Sequence, residues 1–345
     1  MHPGARAFIA TAVVASTACM ALGGNAAGHA EPRLVLSGSP TSDGVVGSHT
    51  PSSALDRITK REPRLDGIVR RAGTGRGVTI YVFDGGIDAE HVEFGSRLRI
   101  GFDAFPSKPR ICNDHGTAVA GAAAGATLGV APEADIVDVK IINCDRMRGS
   151  TDAILAAARW TVEDHARHPG QPAVANWSFV VDTSRSVPEI DSAVALLRDA
   201  GILVVVAAGN FEIDACHVSP ASAPGAFVVG SSSLVRGANR GAWVDARSEN
   251  TASGSCVDLY APGDSVLLPG VENGRSTVTS WSGTSMAAGY VSGAASLILE
   301  RSPHATPQVV AETIVRTATA GMVDERIDRT RADRAPLLYA GPIRK

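Results

Sequence analysis

The run that most constrains this chain is residues 202–207, Ile-Leu-Val-Val-Val-Ala, the most apolar strand signal it contains. A strand with no polar alternation has no face for water, so both of its faces need cover. Such strands belong to the middle of parallel sheets, and parallel neighbours need long crossover connections, usually helices. The rest of the chain supplies them. Further strand signals lie at 78–83, 134–142, 173–178, 226–229 and 256–260. Helical periodicity covers 150–168, where Ile154, Ala157, Trp160 and Val162 lie near the buried face, and 187–200, closed by Gly201. A helix also follows Ser285, and a last one spans 306–320. This alternation predicts an α/β fold in three layers, a mostly parallel sheet with helices on both faces. No internal repeat occurs.

Composition agrees with tight packing. Of 345 residues, 44% are hydrophobic and 36 are glycine, while only 5% are aromatic. A net charge of −3 gives no reason to expect nucleic acid or an anionic membrane as partner. Residues 1–30 read as a signal peptide: Arg6 gives the positive start, 7–22 are apolar, and small residues follow. Cleavage after Ala27 or Ala30 suits this pattern, with a retained anchor as the alternative and Cys19 as a weaker candidate for lipid attachment. The stretch is marginally short for a membrane span, so a secreted protein with no stable membrane association is expected. Residues 31–52 read as a flexible leader, and 53–345 as the folded domain. Within it, 53–72 read as a surface-lying start and the charged tail 324–334 as a solvated face. Beyond the signal four cysteines remain: Cys112, Cys144, Cys216 and Cys256. An even number in a secreted chain implies two disulfides, and four cysteines allow three pairings.

Chemistry concentrates at the ends of these elements. In Trp281-Ser282-Gly283-Thr284-Ser285-Met286-Ala287-Ala288-Gly289, small residues surround one serine at the head of a buried helix. The first turn of a helix has free N–H groups, so a hydroxyl there can attack a carbonyl whose oxyanion its own N–H helps to hold. A plain helix cap is the ordinary role of a lone serine in this place. Asp84 follows the strand at 78–83 and leads Gly85-Gly86-Ile87, at the strand end where open α/β sheets carry function. An aspartate capping a turn is the alternative. His115 opens a helix of almost pure Ala, Gly and Val, whose packing would hold the imidazole rigidly. His91, His165, His168, His217 and His304 have no such context and read as structural or surface residues.

Together Asp84-Gly85-Gly86-Ile87, His115-Gly116-Thr117-Ala118-Val119-Ala120-Gly121, Ala207-Ala208-Gly209-Asn210 and Gly283-Thr284-Ser285-Met286-Ala287 resemble the motifs of subtilisin-like serine peptidases, in that family's Asp, His, Ser order. The likeness covers residues 55–339 and is nearest to the proteinase K-like branch. It implies a subtilisin-like fold and a secreted serine endopeptidase. Ser285 would be the nucleophile, His115 the base and then acid, Asp84 its orienting partner, and Asn210 the oxyanion donor. Ser178, Phe179 and Val180 would line one side of the P1 pocket, Ala208 and Gly209 the other. It also implies the pairs Cys112–Cys144 and Cys216–Cys256, polypeptide substrate, and a monomer.

Departures from the family pattern carry their own expectations. Gly86 stands where Thr is usual, which implies a looser strand end. Ala118 replaces a second His, and Gly289-Tyr290 replaces the common Pro-His. Phe179-Val180-Val181 replaces Leu-Gly-Gly in the cleft, where stiff Val180 would narrow the pocket towards small P1 residues. Ser233 stands where a calcium-binding Asp is common, so no cofactor is expected and structural calcium lacks a recognisable site. As the sequence stands, the leader is too short for a folded inhibitory prodomain. These features set two further readings beside the peptidase: a weak or inactive binding protein on the same fold, and a serine hydrolase acting on esters or small amides.

Overall fold

A computed structural model describes residues 47–106, 109–236, 243–321, 323–324 and 336–342. The signal segment, residues 31–46 of the leader, and the tail from 325 to 334 lie outside the described residues. In chain order the elements are β1 (Gly47–His49), α1 (Ser53–Ile58), β2 (Ile68–Arg70), β3 (Thr79–Asp84), β4 (Leu98–Asp103), α2 (His115–Ala124) and β5 (Asp135–Lys140). Then come α3 (Thr151–Ala166), β6 (Ala173–Trp177), α4 (Pro188–Asp199), β7 (Leu203–Ala207), β8 (Phe227–Arg236) and β9 (Trp243–Arg247). The last are β10 (Leu259–Pro262), β11 (Val266–Glu272), β12 (Arg275–Trp281), α5 (Thr284–Arg301), α6 (Pro307–Thr317) and β13 (Val323–Asp324).

The main sheet runs β4-β5-β3-β6-β7-β8-β9-β13, with β10 also paired to β8. Every pairing in it is parallel except β8 with β9. The apolar run that predicted a central strand is β7, buried at every position between β6 and β8. Side-chain alternation divides the core in two. Ile80 and Val82 of β3 pack with α2 and α5, while Tyr81 and Phe83 pack with α3 and α4. The three-layer α/β prediction therefore holds, for the physical reason given: strands apolar on both sides are covered on both sides.

Two expectations change. Residues 53–72 do not begin as a surface stretch. All of α1 after Ser53 is buried, and Arg57 pairs with Asp245 of β9 at 2.7 Å, both side chains nearly solvent-free. Arg57 also donates to the Lys60 carbonyl at 2.7 Å, so its charge is satisfied where local composition reads as surface. The second concerns Gly86. Its φ is +103°, and a Cβ there would lie 2.5 Å from the Arg110 carbonyl oxygen. Glycine at this position makes the corner tight rather than loose, because any side chain would collide with backbone.

Candidate active site

Asp84 is the last residue of β3 and is buried. Its Oδ1 accepts the Gly85 N–H at 2.7 Å, and its Oδ2 faces His115 Nδ1 at 2.8 Å. A carboxylate only accepts, so Nδ1 of the neutral ring carries the proton and Nε2 keeps its lone pair. His115 starts α2, a helix otherwise wholly buried. Its entry is tied three times. The Asn113 side chain accepts the His115 N–H at 3.1 Å, Asp114 accepts the Val271 N–H at 2.7 Å, and the Cys112 N–H donates to Gly85 O at 2.9 Å. Cys112 is bonded to Cys144, and Cys216 to Cys256, the two pairs that the resemblance implied.

Burial pulls the His115 imidazolium down, but the Asp84 charge and hydrogen bond together outweigh it, leaving the pKa above the ordinary 6.5. Trp281 meets the imidazole in a T-shaped contact, with ring centroids 6.3 Å apart.

Ser285 is the second residue of α5 and almost buried. A chain of buried hydrogen bonds supports it from below. Ser292 donates to Asn176 Oδ1 at 2.9 Å, Asn176 Nδ2 to Ser178 Oγ at 2.8 Å, and Ser178 Oγ to the Ser285 carbonyl at 3.1 Å. The Ser285 hydroxyl itself donates to Ser178 O at 3.3 Å. Asn210 is oriented by α5 as well. Thr284 gives its N–H at 2.8 Å and its hydroxyl at 3.0 Å to Asn210 Oδ1. Two donors on one end identify that end as the oxygen and leave Nδ2, a donor, for a substrate oxygen.

His115, Ser178, Thr284, Ser285 and Asn210 line one cleft, walled by Phe179, Val180, Ala207, Gly209 and Phe211. Ala208, expected in its wall, is absent from that lining. Val180 is buried, and its Cγ2 lies 3.7 Å from where a Cβ on Gly209 would sit, so the walls nearly touch. Phe211 is a wall that the sequence reading did not include. Phe211 carries one usable signal, an aromatic next to Asn210 after an apolar strand.

At the doubtful calcium position, Ser233 Oγ donates to the Asp264 carboxylate. Among the described residues, no group of three His, Cys, Asp or Glu side chains is placed to hold a metal ion. Nor, among them, is any helix long and apolar enough to cross a membrane.

The family model described as the subtilase family matches residues 75–333. The chain belongs to the subtilase family. It is 38% identical over 271 residues to an extracellular serine proteinase of Thermus sp. (strain Rt41A), covering 78% of this chain and 62% of that protein. It is 37% identical over 288 residues to the alkaline serine exoprotease A of Vibrio alginolyticus, covering 83% and 49%. The chain thus spans less than two thirds of the length of these two relatives. A crystal structure of a cold adapted subtilisin-like serine proteinase superposes with a TM-score of 0.72 at 33% identity, over 85% of this chain and 99% of that one.

Proposed function

We propose that this subtilase is a secreted serine endopeptidase that cleaves polypeptides through an acyl-enzyme at Ser285, within a catalytic domain spanning residues 53–345. The observation that carries the reading is the 2.8 Å Asp84–His115 contact, which leaves Nε2 basic in the cleft where Ser285 heads a helix. For the reaction the Ser285 hydroxyl must turn from the Ser178 carbonyl, which accepts it in this structure, to His115 Nε2. Oγ then attacks the substrate carbonyl carbon as its proton passes to Nε2. The oxyanion is met by Asn210 Nδ2 and the Ser285 N–H. A donor of the Asn210 kind contributes roughly 3–4 kcal/mol to barrier lowering in subtilases. As the tetrahedral intermediate collapses, the C–N bond breaks and His115 gives its proton to the leaving amine. Water repeats the sequence to release the acid. Asp84 holds the tautomer and stabilises the imidazolium throughout.

Val180 Cγ2 lies 3.7 Å from where a Cβ on Gly209 would sit, and walls this close suit a small P1 side chain. Treating the purified mature protein with a fluorophosphonate tests the reading. The expected result is one adduct, mapped to Ser285 by mass spectrometry and lost in Ser285→Ala. No adduct under native conditions would leave a binding protein on a peptidase fold. An adduct with turnover of esters only would leave an esterase.

A further inference from the structure

One buried carboxylate close to this site has no part in the chemistry above. Asp138 lies in β5, opposite Val82 of β3, fully buried. It shares the parity of Ile136, which packs in the core formed with α2 and α5, so it points to the side that carries His115. A charge in so dry a place needs partners, and both of Asp138's come from the catalytic loops. Its Oδ2 accepts the Ile87 N–H at 3.1 Å, from the corner that follows Asp84. The same oxygen accepts from Arg110 Nη2, in the segment leading to Cys112 and His115. These two segments also touch directly, since the Arg110 carbonyl fills the space beside Gly86. Asp138 Oδ1 and Arg110 Nε are both buried without a partner among the described residues. They belong to the same ion pair, so a small rotation would convert it to the two-pronged fork that arginine and carboxylate favour. Arg110 leans on Asp103 as well, at 3.4 Å, and Asp103 holds buried Lys140 at 3.2 Å.

We propose that Asp138 and Arg110 are positioning residues for the catalytic pair, clamping the Asp84 corner to the His115 loop so that carboxylate and imidazole keep their separation. This rests on the peptidase reading for its kinetic consequence, but the geometry it predicts can be measured without turnover. The clamp acts on proton transfer and leaves the substrate-binding walls alone. Losing it therefore lowers kcat and spares KM, and misplacement of this kind costs about ten- to a hundredfold.

Two variants test it. Asp138→Asn keeps an acceptor for Ile87 and removes the charge. Arg110→Lys keeps the charge and removes the fork, on a side chain that is 27% exposed and so tolerant of change. Each is compared with wild type for kcat and KM on a small-P1 peptide. Each is also compared for the low-field proton NMR signal of His115 Nδ1–H, with thermal melts recording the folded fraction. The expected result is a kcat loss of at least about tenfold in each folded variant. KM should hold, and the Nδ1 proton should move upfield and exchange faster. If Asp138→Asn does not fold, Arg110→Lys decides alone. Wild-type kcat and an unmoved proton in a folded variant would overturn the clamp, as would a loss shared equally by kcat and KM. A wild type without Ser285 labelling would sink the peptidase reading instead, and a displaced Nδ1 proton in the variants would still support the clamp.

Discussion

Val180 meets the cleft with a branched side chain that is stiff at χ1, so it cannot swing away from an incoming P1 group. This residue is buried, so its methyls do not face solvent. Val180→Gly opens the wall opposite Gly209. The expected outcome is a rise of about tenfold or more in kcat/KM for a bulky P1 side chain, with small P1 peptides little changed. A panel of peptides differing only at P1 checks it; equal wild-type rates for small and bulky groups would contradict the pocket argument. The residues around the chemistry also explain one another. Thr284 turns Asn210 so that a donor faces the cleft, and Ser178 holds the Ser285 carbonyl from beneath. Neither role is visible from residue type, because each depends on which end of a side chain is already engaged.

Among the elements, α2 and α5 approach too closely for ordinary side chains. A Cβ on Gly289 would lie 2.8 Å from Val119 O, and one on Gly293 2.4 Å from Ala123 O. This reverses the expectation from helix propensity, by which glycine in a helix costs about 1 kcal/mol against alanine. Gly293→Ala should destabilise by about 1–3 kcal/mol, because backbone cannot move aside as a side-chain end can. Urea unfolding checks it, and a raised midpoint would show that the helices separate freely. The same crowding fixes the hairpin of β11 and β12, whose Pro269 packs where Gly121 of α2 has no side chain. Asp114 and His91 grip this hairpin through its backbone at Val271, Gly270 and Thr277. The hairpin thereby brings Trp281 against His115.

For the whole molecule, pH couples chemistry to stability through the Asp84–His115 pair. Only neutral His115 can take the Ser285 proton, so kcat/KM should rise with pH, with a midpoint above the ordinary 6.5. A group whose folded pKa is raised adds stability that is complete below its unfolded value and is lost as pH rises through the folded value. The pair therefore contributes least to stability where the proposed chemistry is fastest. Asp84→Asn should lower activity and remove that pH dependence of the melting temperature, read by calorimetry across pH 5 to 9. An unchanged slope would show that other groups dominate it. At the same scale Arg57 and Asp245, 188 residues apart, tie the start of the described chain to β9.

Pattern and composition were enough for the class of fold, because a strand apolar on every side admits few environments. They put Asp84 at a strand end and His115 and Ser285 at helix starts, where backbone geometry itself exposes functional groups, while Asn210 and the joining of the four came from the resemblance of their motifs. One further element is legible in the sequence. Asn273-Gly274, both at positive φ, is a hairpin turn signal between alternating strands. What tertiary structure alone decided depends on contacts between segments remote in sequence. Burial of α1 rests on Asp245, and the need for glycine at Gly86 on Arg110. The Asp138–Arg110 pair is the clearest instance. Asp138 sits in a strand that reads as apolar, and only the fold brings its two partners from the loops that carry Asp84 and His115.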